Sequence, residues 1–174
     1  MARVVLRLST VALLLLLLVV AFLSVRTARR LPNVIIYLVK DNETSFSLEP
    51  VGRKVNAGTP EEKLRGIVQA LQDGPSSSEK AKGLMTTLPG AMTVNRLELV
   101  GSEVRIDLSA EFEQGGGNAL MVGRLNQLFY SLTQAKEVSE ISLFIDGLRV
   151  TAFSQQGIMI ASPWSRQSET LPVW

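Results

Sequence analysis

Ser77 and Lys80 stand in the S-x-x-K spacing that penicillin-recognising enzymes use for their nucleophile. A lysine one helical turn after a serine could help to ionise the hydroxyl. The S-D-N and K-T-G elements that accompany this pattern are missing from the chain. Serine-rich loops produce the spacing by chance, so we interpret this segment as a solvated loop or a single helical turn.

Three carboxylates, Asp107, Glu111 and Glu113, form the second candidate group. Such residues could act as a glycosidase pair or as calcium ligands. Asp107, however, alternates with apolar residues of a predicted strand and should point off its buried face. The chain also has only two Trp and two Tyr with which to stack a sugar. We therefore expect Asp107 and Ser109 to hold the turn that leads to Glu111 and Phe112.

The three glycines at 115–117 precede a predicted helix, and a helix N-terminus attracts anions. No phosphate-binding motif or nearby lysine accompanies them. The pattern favours glycines that let the backbone enter the helix.

The chain has no cysteine and no histidine. This excludes cysteine-based zinc sites, thiol nucleophiles, disulfides, histidine triads and a cysteine-linked lipid anchor. We predict no catalytic residue, no cofactor and no metal, and hence a protein that is not an enzyme.

Charge separates the N-terminus from the rest. The sequence pI of about 9.2 reflects five arginines up to residue 30. Without them, thirteen basic residues face sixteen acidic ones, a net charge of −3. A nucleic-acid-binding domain should carry a basic stripe on its folded part, so we expect no nucleic-acid partner.

Residues 8–25 contain no charge. As a helix they would span about 27 Å, close to the hydrocarbon thickness of a bilayer. Because no A-x-A cleavage site follows, we predict an uncleaved membrane anchor in residues 1–30. Arginines flank both ends of the span, so the positive-inside rule leaves the orientation open.

The domain begins with strand patterns at Asn33–Lys40 and Leu48–Val55, and Pro50 indicates that the second strand lies at an edge. Thr59, Pro60 and Glu62 predict a capped helix start, and Gly74 predicts its end.

Two hairpins follow from two-residue turns at Gly101-Ser102 and Asp146-Gly147. Around the first turn, pairing sets Leu99 against Val104, Leu97 against Ile106 and Asn95 against Leu108. Around the second, it sets Leu143 against Val150 and Ile141 against Ala152. In both hairpins the apolar residues share one face, as a half-buried sheet requires.

Between the hairpins, Asn118–Ala135 has an apolar stripe at helical spacing that includes Leu128 and Leu132. We expect Arg124, Asn126 and Ser131 to lie off this stripe and to be exposed. The tail at 156–174 should either be disordered or fold back onto the sheet. Arg124, with Trp164 and Trp174 of the tail, is a candidate interaction surface.

The resulting α+β order over residues 31–155, β-β-α-β-β-α-β-β with helices packed on an antiparallel or mixed sheet, resembles the GerMN domain family. The resemblance covers about residues 33–153. It rests on an ordered set of short segments, namely LEPVGRKV at 48–55, LQDGPS at 71–76, GL at 83–84, LPG at 88–90, VRIDLS at 104–109, EF at 111–112, the glycines at 115–117, LFYSLTQ at 128–134 and IDG at 145–147.

This resemblance implies an extracytoplasmic, non-catalytic domain, similar in fold to the ring-building motif of secretion and sporulation assemblies. We expect a single-pass membrane protein whose domain binds other envelope proteins or peptidoglycan, with oligomers possible. The alternative is an accessory of a cell-wall hydrolase or a wall-binding protein.

Overall fold

The computed structural model describes residues 15–20, 31–42, 46–154 and 157–168. The chain divides into two units, residues 1–32 and Asn33–Trp174. Residues 15–20 are helical and expose their apolar side chains. Within the described ranges, no helix is both long and apolar enough to cross a membrane. Most of the predicted anchor at 8–25 lies outside the described residues.

The order of the main elements follows the sequence prediction, with short additional elements between and after them. In chain order they are β1 (Val34–Asp41), β2 (Phe46–Arg53), α1 (Pro60–Asp73), α2 (Ser77–Lys80), β3 (Leu84–Met85), β4 (Val94–Val100), β5 (Glu103–Leu108), a 3-10 turn (Ala110–Glu113), α3 (Asn118–Leu132), β6 (Glu140–Ile145), β7 (Leu148–Arg149), β8 (Ala152–Phe153), β9 (Ile158–Met159) and β10 (Trp164–Ser165).

The strands form two main sheets. Sheet A is antiparallel in the order β2-β1-β3, and β2 lies at its edge, as Pro50 predicted. Sheet B has the order β10-β6-β5-β4, with β7 also on β6. Its β5 and β6 are parallel, because α3 connects them as a crossover, and its other pairs are antiparallel. The mixed α+β arrangement is confirmed, whereas the division into two sheets was not predicted.

Helix α1 begins and ends where its signals predicted. The Thr59 hydroxyl accepts a hydrogen bond from the Glu62 amide, and the Glu62 carboxylate accepts one from the Thr59 amide. Gly74 ends the helix at φ 71°. Within the helix, Gly66 lies so close to Val55 that an added Cβ would meet its Cγ1 at 2.2 Å.

The first hairpin keeps its predicted register for most of its length. Leu99 faces Val104 and Leu97 faces Ile106. A bulge after Val94 shifts the far end, so Val94, rather than Asn95, faces Leu108.

The second hairpin is shorter than predicted. Asp146 and Gly147 both have positive φ, as a type I′ turn requires. The Val150 amide donates to the Leu143 carbonyl, but the chain then leaves β6. Ala152 pairs with Met159 instead, and Ile141 pairs with Trp164 of the returning tail.

One hydrophobic core contains residues of helices α1 and α3 and of the inner faces of both sheets. Leu128 and Leu132 of α3 are fully buried in the same cluster as Ile106 and Leu143, which confirms the predicted packing of this helix.

Candidate interaction surface

Arg124 is not exposed, and the prediction that placed it on the outer face of its helix is wrong. Its side chain is 5% accessible. The guanidinium donates to the carbonyls of Thr87, Phe112, Gln114 and Gly115. Burial lowers the pKa of Arg124 from its ordinary value. An arginine still retains its charge at neutral pH, and here main-chain dipoles compensate that charge.

Two more polar residues of α3 are buried for a related reason. Gln127 and Ser131 lie one and two turns after Arg124. The Gln127 amide donates to the Tyr37 carbonyl, and the Ser131 hydroxyl accepts from the Tyr37 amide. These bonds give hydrogen-bond partners to the main-chain groups of Tyr37 that point away from β2. The Gln127 carbonyl oxygen also accepts from the amide and hydroxyl of Thr87.

The buried polar stripe, defined as Arg124, Gln127 and Ser131, therefore attaches α3 to neighbouring main-chain segments. Ser131 and Asn126 were also predicted to be exposed, and both are buried as well. Helical periodicity separated polar from apolar residues correctly but assigned the wrong environment to the polar ones, because their main-chain partners lie far along the chain.

Trp164 is also buried, at 2% accessibility. It pairs with Ile141 on the edge of β6 and packs against the rings of Phe129 and Tyr130, at centroid distances of 4.9 and 5.6 Å. The fold-back alternative for the tail therefore applies to this residue, and Trp164 offers no exposed ring to a partner. Trp174 lies outside the described residues.

The possible nucleophile pair is not assembled. Ser77 and Lys80 are exposed, and no hydrogen bond joins their side chains in this described part of the chain. Between them, Glu79 accepts both terminal nitrogens of Arg53, at 2.9 and 2.7 Å. It also accepts the amide of Ser76, completing a cap on α2. These bonds, above all that from Arg53, lower the pKa of Glu79 to about 2.

The three candidate carboxylates have separate structural roles, and that of Glu113 is to accept the Ser154 amide at 2.9 Å. Asp107 points off the buried face, as predicted, but holds a different turn from the one expected, since it accepts the Gly147 amide at 3.0 Å. Ser109 does lead into the next turn, where its carbonyl accepts the Phe112 amide. A bond from Ser109 also lowers the pKa of Glu111. Within the described ranges, no three acidic side chains are grouped to hold a metal ion.

The outer face of sheet B carries an ordered array of charges that we did not single out from the sequence. Strand register places Glu98 beside Arg105, and Arg96 beside Asp107. Along the strands, Arg96 also binds Glu98 at 2.6 Å, and Arg105 binds Glu103 at 3.0 Å. Opposite charges therefore alternate both along and across β4 and β5.

Phe144 of β6 lies beside Asp107 on this face and is half-buried. The guanidinium of Arg149 lies 5.4 Å from the centre of its ring. Phe144 forms part of a shallow basin of about 260 Å³, whose other lining residues are Arg96, Glu98, Arg105, Asp107 and Gly147. One aromatic ring surrounded by arginines and carboxylates is thus accessible from solvent.

Glu103 is fixed at the border of this face. It accepts the Ser142 hydroxyl at 2.6 Å, and this bond, followed by that from Arg105, lowers the pKa of Glu103. The outer face of sheet B, defined as Arg96, Glu98, Glu103, Arg105, Asp107, Phe144 and Arg149, is thereby preorganised. The alternation in β4 and β5 was the signal that could have identified it.

The fold is that of a GerMN domain. The structure is similar to the first GerMN domain of the sporulation protein GerM from Bacillus subtilis, with a TM-score of 0.60 and 20% identity over 78% of this chain and 100% of that one. It is also similar to the tandem GerMN domains of the same protein, with a TM-score of 0.61 and 19% identity over 80% of this chain and 47% of that one. This chain thus spans about half the length of the tandem protein.

A third similar structure is a protein from Clostridium perfringens provisionally described as a lipoprotein, with a TM-score of 0.54 and 19% identity over 76% of this chain and 86% of that one. In sequence, no curated protein is significantly similar to this chain. The family Germane, described as "Sporulation and spore germination", matches residues 35–151. The chain belongs to this family, which confirms the resemblance inferred from its short segments.

Proposed function

We propose that this chain is a non-enzymatic, membrane-anchored domain on the extracytoplasmic side of the cell membrane. In this proposal it docks a protein of an envelope or sporulation assembly through the outer face of sheet B. The observation that carries the proposal is the half-buried Phe144 within a fixed array of arginines and carboxylates. Aromatic and arginine side chains are enriched among the residues that dominate protein interfaces.

The charge on this face favours a protein partner over the cell wall. Its three arginines balance its three carboxylates, so it has little attraction for a polyanion. Its single aromatic ring also provides little stacking surface for a glycan. A protein face with its own alternating charges could exchange ion pairs with it, which gives orientation and specificity more than affinity.

The proposed anchor is the uncharged stretch at 8–25. The helical conformation and exposed apolar side chains of residues 15–20 support it. Mass spectrometry of the native membrane fraction should recover peptides that begin at Met1 or Ala2. A mature N-terminus near Ala28 would instead show that the segment is a cleaved signal peptide.

Site-specific photocrosslinking tests the docking face. The photoreactive residue p-benzoylphenylalanine replaces Phe144 in one strain and the exposed Gln69 of α1 in a control strain. Irradiated cells should give a discrete protein adduct from position 144 and none from position 69. Equal adducts from both positions, or none from 144, would refute the proposal. An adduct that lysozyme removes would indicate the wall as the partner and would also count against it.

The absence of catalysis has its own test. Labelled penicillin should not acylate the purified full-length protein, because Ser77 has no activating partner among the described residues. A covalent adduct that disappears in Ser77→Ala would contradict this expectation.

A further inference from the structure

The C-terminal strap, defined as residues 161–168, follows β9 and the buried Ile160 and is attached differently from the rest of sheet B. Its strand β10 pairs with β6 at only two positions, Trp164 with Ile141 and Ser165 with Glu140. By contrast, β5 pairs with β6 at six positions. The strap therefore covers one end of the β6 edge with little main-chain hydrogen bonding.

The strap is held mainly by one buried ring and one exposed arginine. Trp164 fills a site on α3 against Phe129 and Tyr130. Arg166 donates to the Thr133 hydroxyl at 2.9 Å and to the Tyr130 carbonyl at 3.2 Å. Its guanidinium also lies 5.1 Å from the Tyr130 ring centre.

Among the described residues, the same segment contains two buried polar atoms without a hydrogen-bond partner, the indole nitrogen of Trp164 and the hydroxyl of Ser162. Buried polar groups in folded proteins nearly always have partners. Opening of the strap would expose both atoms to water, where they could form hydrogen bonds. Such segments open locally without global unfolding.

We propose that the strap opens on its own and that the vacated site accepts the strap of a second copy of this chain. The site presents the end of the β6 edge together with the Phe129 and Tyr130 surface. An identical strap matches both features, since its Trp164 already fills the site and its main chain already pairs with Ile141. Exchange of an identical element between copies costs little, because the contacts are the same in both states.

Disulfide trapping in the full-length protein in detergent tests the exchange. The chain has no native cysteine, so Glu140→Cys and Ser165→Cys introduce thiols at facing positions. The double variant should form an intramolecular disulfide on oxidation, which verifies the closed geometry. When the two single variants are mixed and oxidised, they should form a covalent heterodimer through positions 140 and 165.

If the double variant closes its disulfide and the mixed single variants give no heterodimer above a Gln69→Cys control, the exchange is refuted. Failure of the double variant to close would equally refute it, because the strap would not occupy the site. A 140–165 heterodimer that forms only after denaturant is added would also count against it, since the strap would then open only with the whole domain.

Hydrogen exchange measures the opening itself. Amides of the strap should exchange at least about tenfold faster than those of β5 in native buffer. Trp164→Phe removes the unpartnered N–H and keeps a ring, so it should leave strap exchange unchanged or slower, whereas Trp164→Ala should accelerate it. Equal exchange of strap and β5, or equal acceleration by both substitutions, would overturn the proposal.

Discussion

Polar side chains have opposite roles in two regions of this domain. On the outer face of sheet B, exposed arginines and carboxylates bind one another along β4 and β5, and opposite charges are neighbours across these two strands. In the buried polar stripe of α3, the partners are instead main-chain groups of other segments. The comparison teaches that the available partner, rather than the residue type, decides where a polar side chain lies. It also distinguishes a surface that can bind a partner from buried hydrogen bonds that stabilise the fold.

The largest effect expected from breaking this contrast is that of Arg124→Ala. The substitution leaves buried carbonyls without a donor, at about 1–3 kcal/mol for each such group. We expect the free energy of unfolding, measured by urea denaturation, to fall by at least about 3 kcal/mol.

Arg124→Lys is the matched control for charge. A single ammonium cannot span the carbonyls that the guanidinium joins, so this variant should lose most of the same stability. A loss below about 1 kcal/mol for either variant, the scale of an ordinary surface substitution, would show that the stripe contributes little.

Gln127→Leu should have the next largest effect. Leucine keeps the volume but leaves the Tyr37 carbonyl and the Thr87 amide without their partners, so we expect a loss of about 2–4 kcal/mol. The measurement is again urea denaturation. Gln69→Leu is the control, since it changes an exposed glutamine of α1 and should shift stability by no more than about 0.5 kcal/mol. Similar losses for the two glutamines would contradict the comparison.

Arg124 also shows which interactions the sequence alone could not predict. The α1 cap, both hairpin turns and the apolar stripe of α3 were predictable, because capping residues, turn glycines and apolar periodicity act over a few positions. Arg124 was misplaced because its acceptors come from segments 9 to 37 residues away.

The division into two sheets was missed for a similar reason. A strand pattern reveals which face is buried but not which other strand pairs with it. The position of the tail could not be predicted either. The sequence pattern paired Ile141 with Ala152, whereas in the structure Ile141 pairs with Trp164 of the tail. The outer face of sheet B was visible as alternation in β4 and β5, but parallel pairing of β6 was needed to place Phe144 among those charges.

The ion pair of Arg53 and Glu79 is intermediate in burial between the outer face of sheet B and the buried polar stripe. Because its folded pKa is lowered from 4.5 to about 2, Glu79 stabilises the fold above pH 4.5, and this stability is lost as pH falls toward 2. Glu79→Gln should therefore cost about 1.5–3 kcal/mol at neutral pH. Thermal melts of parent and variant should converge near the lower pH.

Glu98→Gln is the control for that pH dependence. Glu98 pairs with Arg96 on the outer face, where solvent screens the interaction. Its substitution should change stability by less than about 1 kcal/mol at any pH. If the difference between Glu79→Gln and the parent is independent of pH, the Arg53 pair does not stabilise the carboxylate as described.

Arg96→Ala should have the smallest effect on stability but a clear effect on binding. The side chain of Arg96 is 70% accessible, and its ion-pair partner in the described part of the chain is Glu98 on the same face. Arg96→Ala should leave the free energy of unfolding within about 0.5 kcal/mol of the parent. If the outer face of sheet B docks a protein, removal of this arginine should reduce the photocrosslinked adduct at position 144 roughly fivefold, about 1 kcal/mol of binding. The control is Lys54→Ala, which removes an exposed positive charge at the end of sheet A and should change neither quantity.

An adduct lost equally in both variants would indicate long-range attraction by net charge, whereas an adduct kept in both would remove Arg96 from the docking surface. Only loss in Arg96→Ala alone, with an unchanged melt, distinguishes a contact at this face from a defect in the fold.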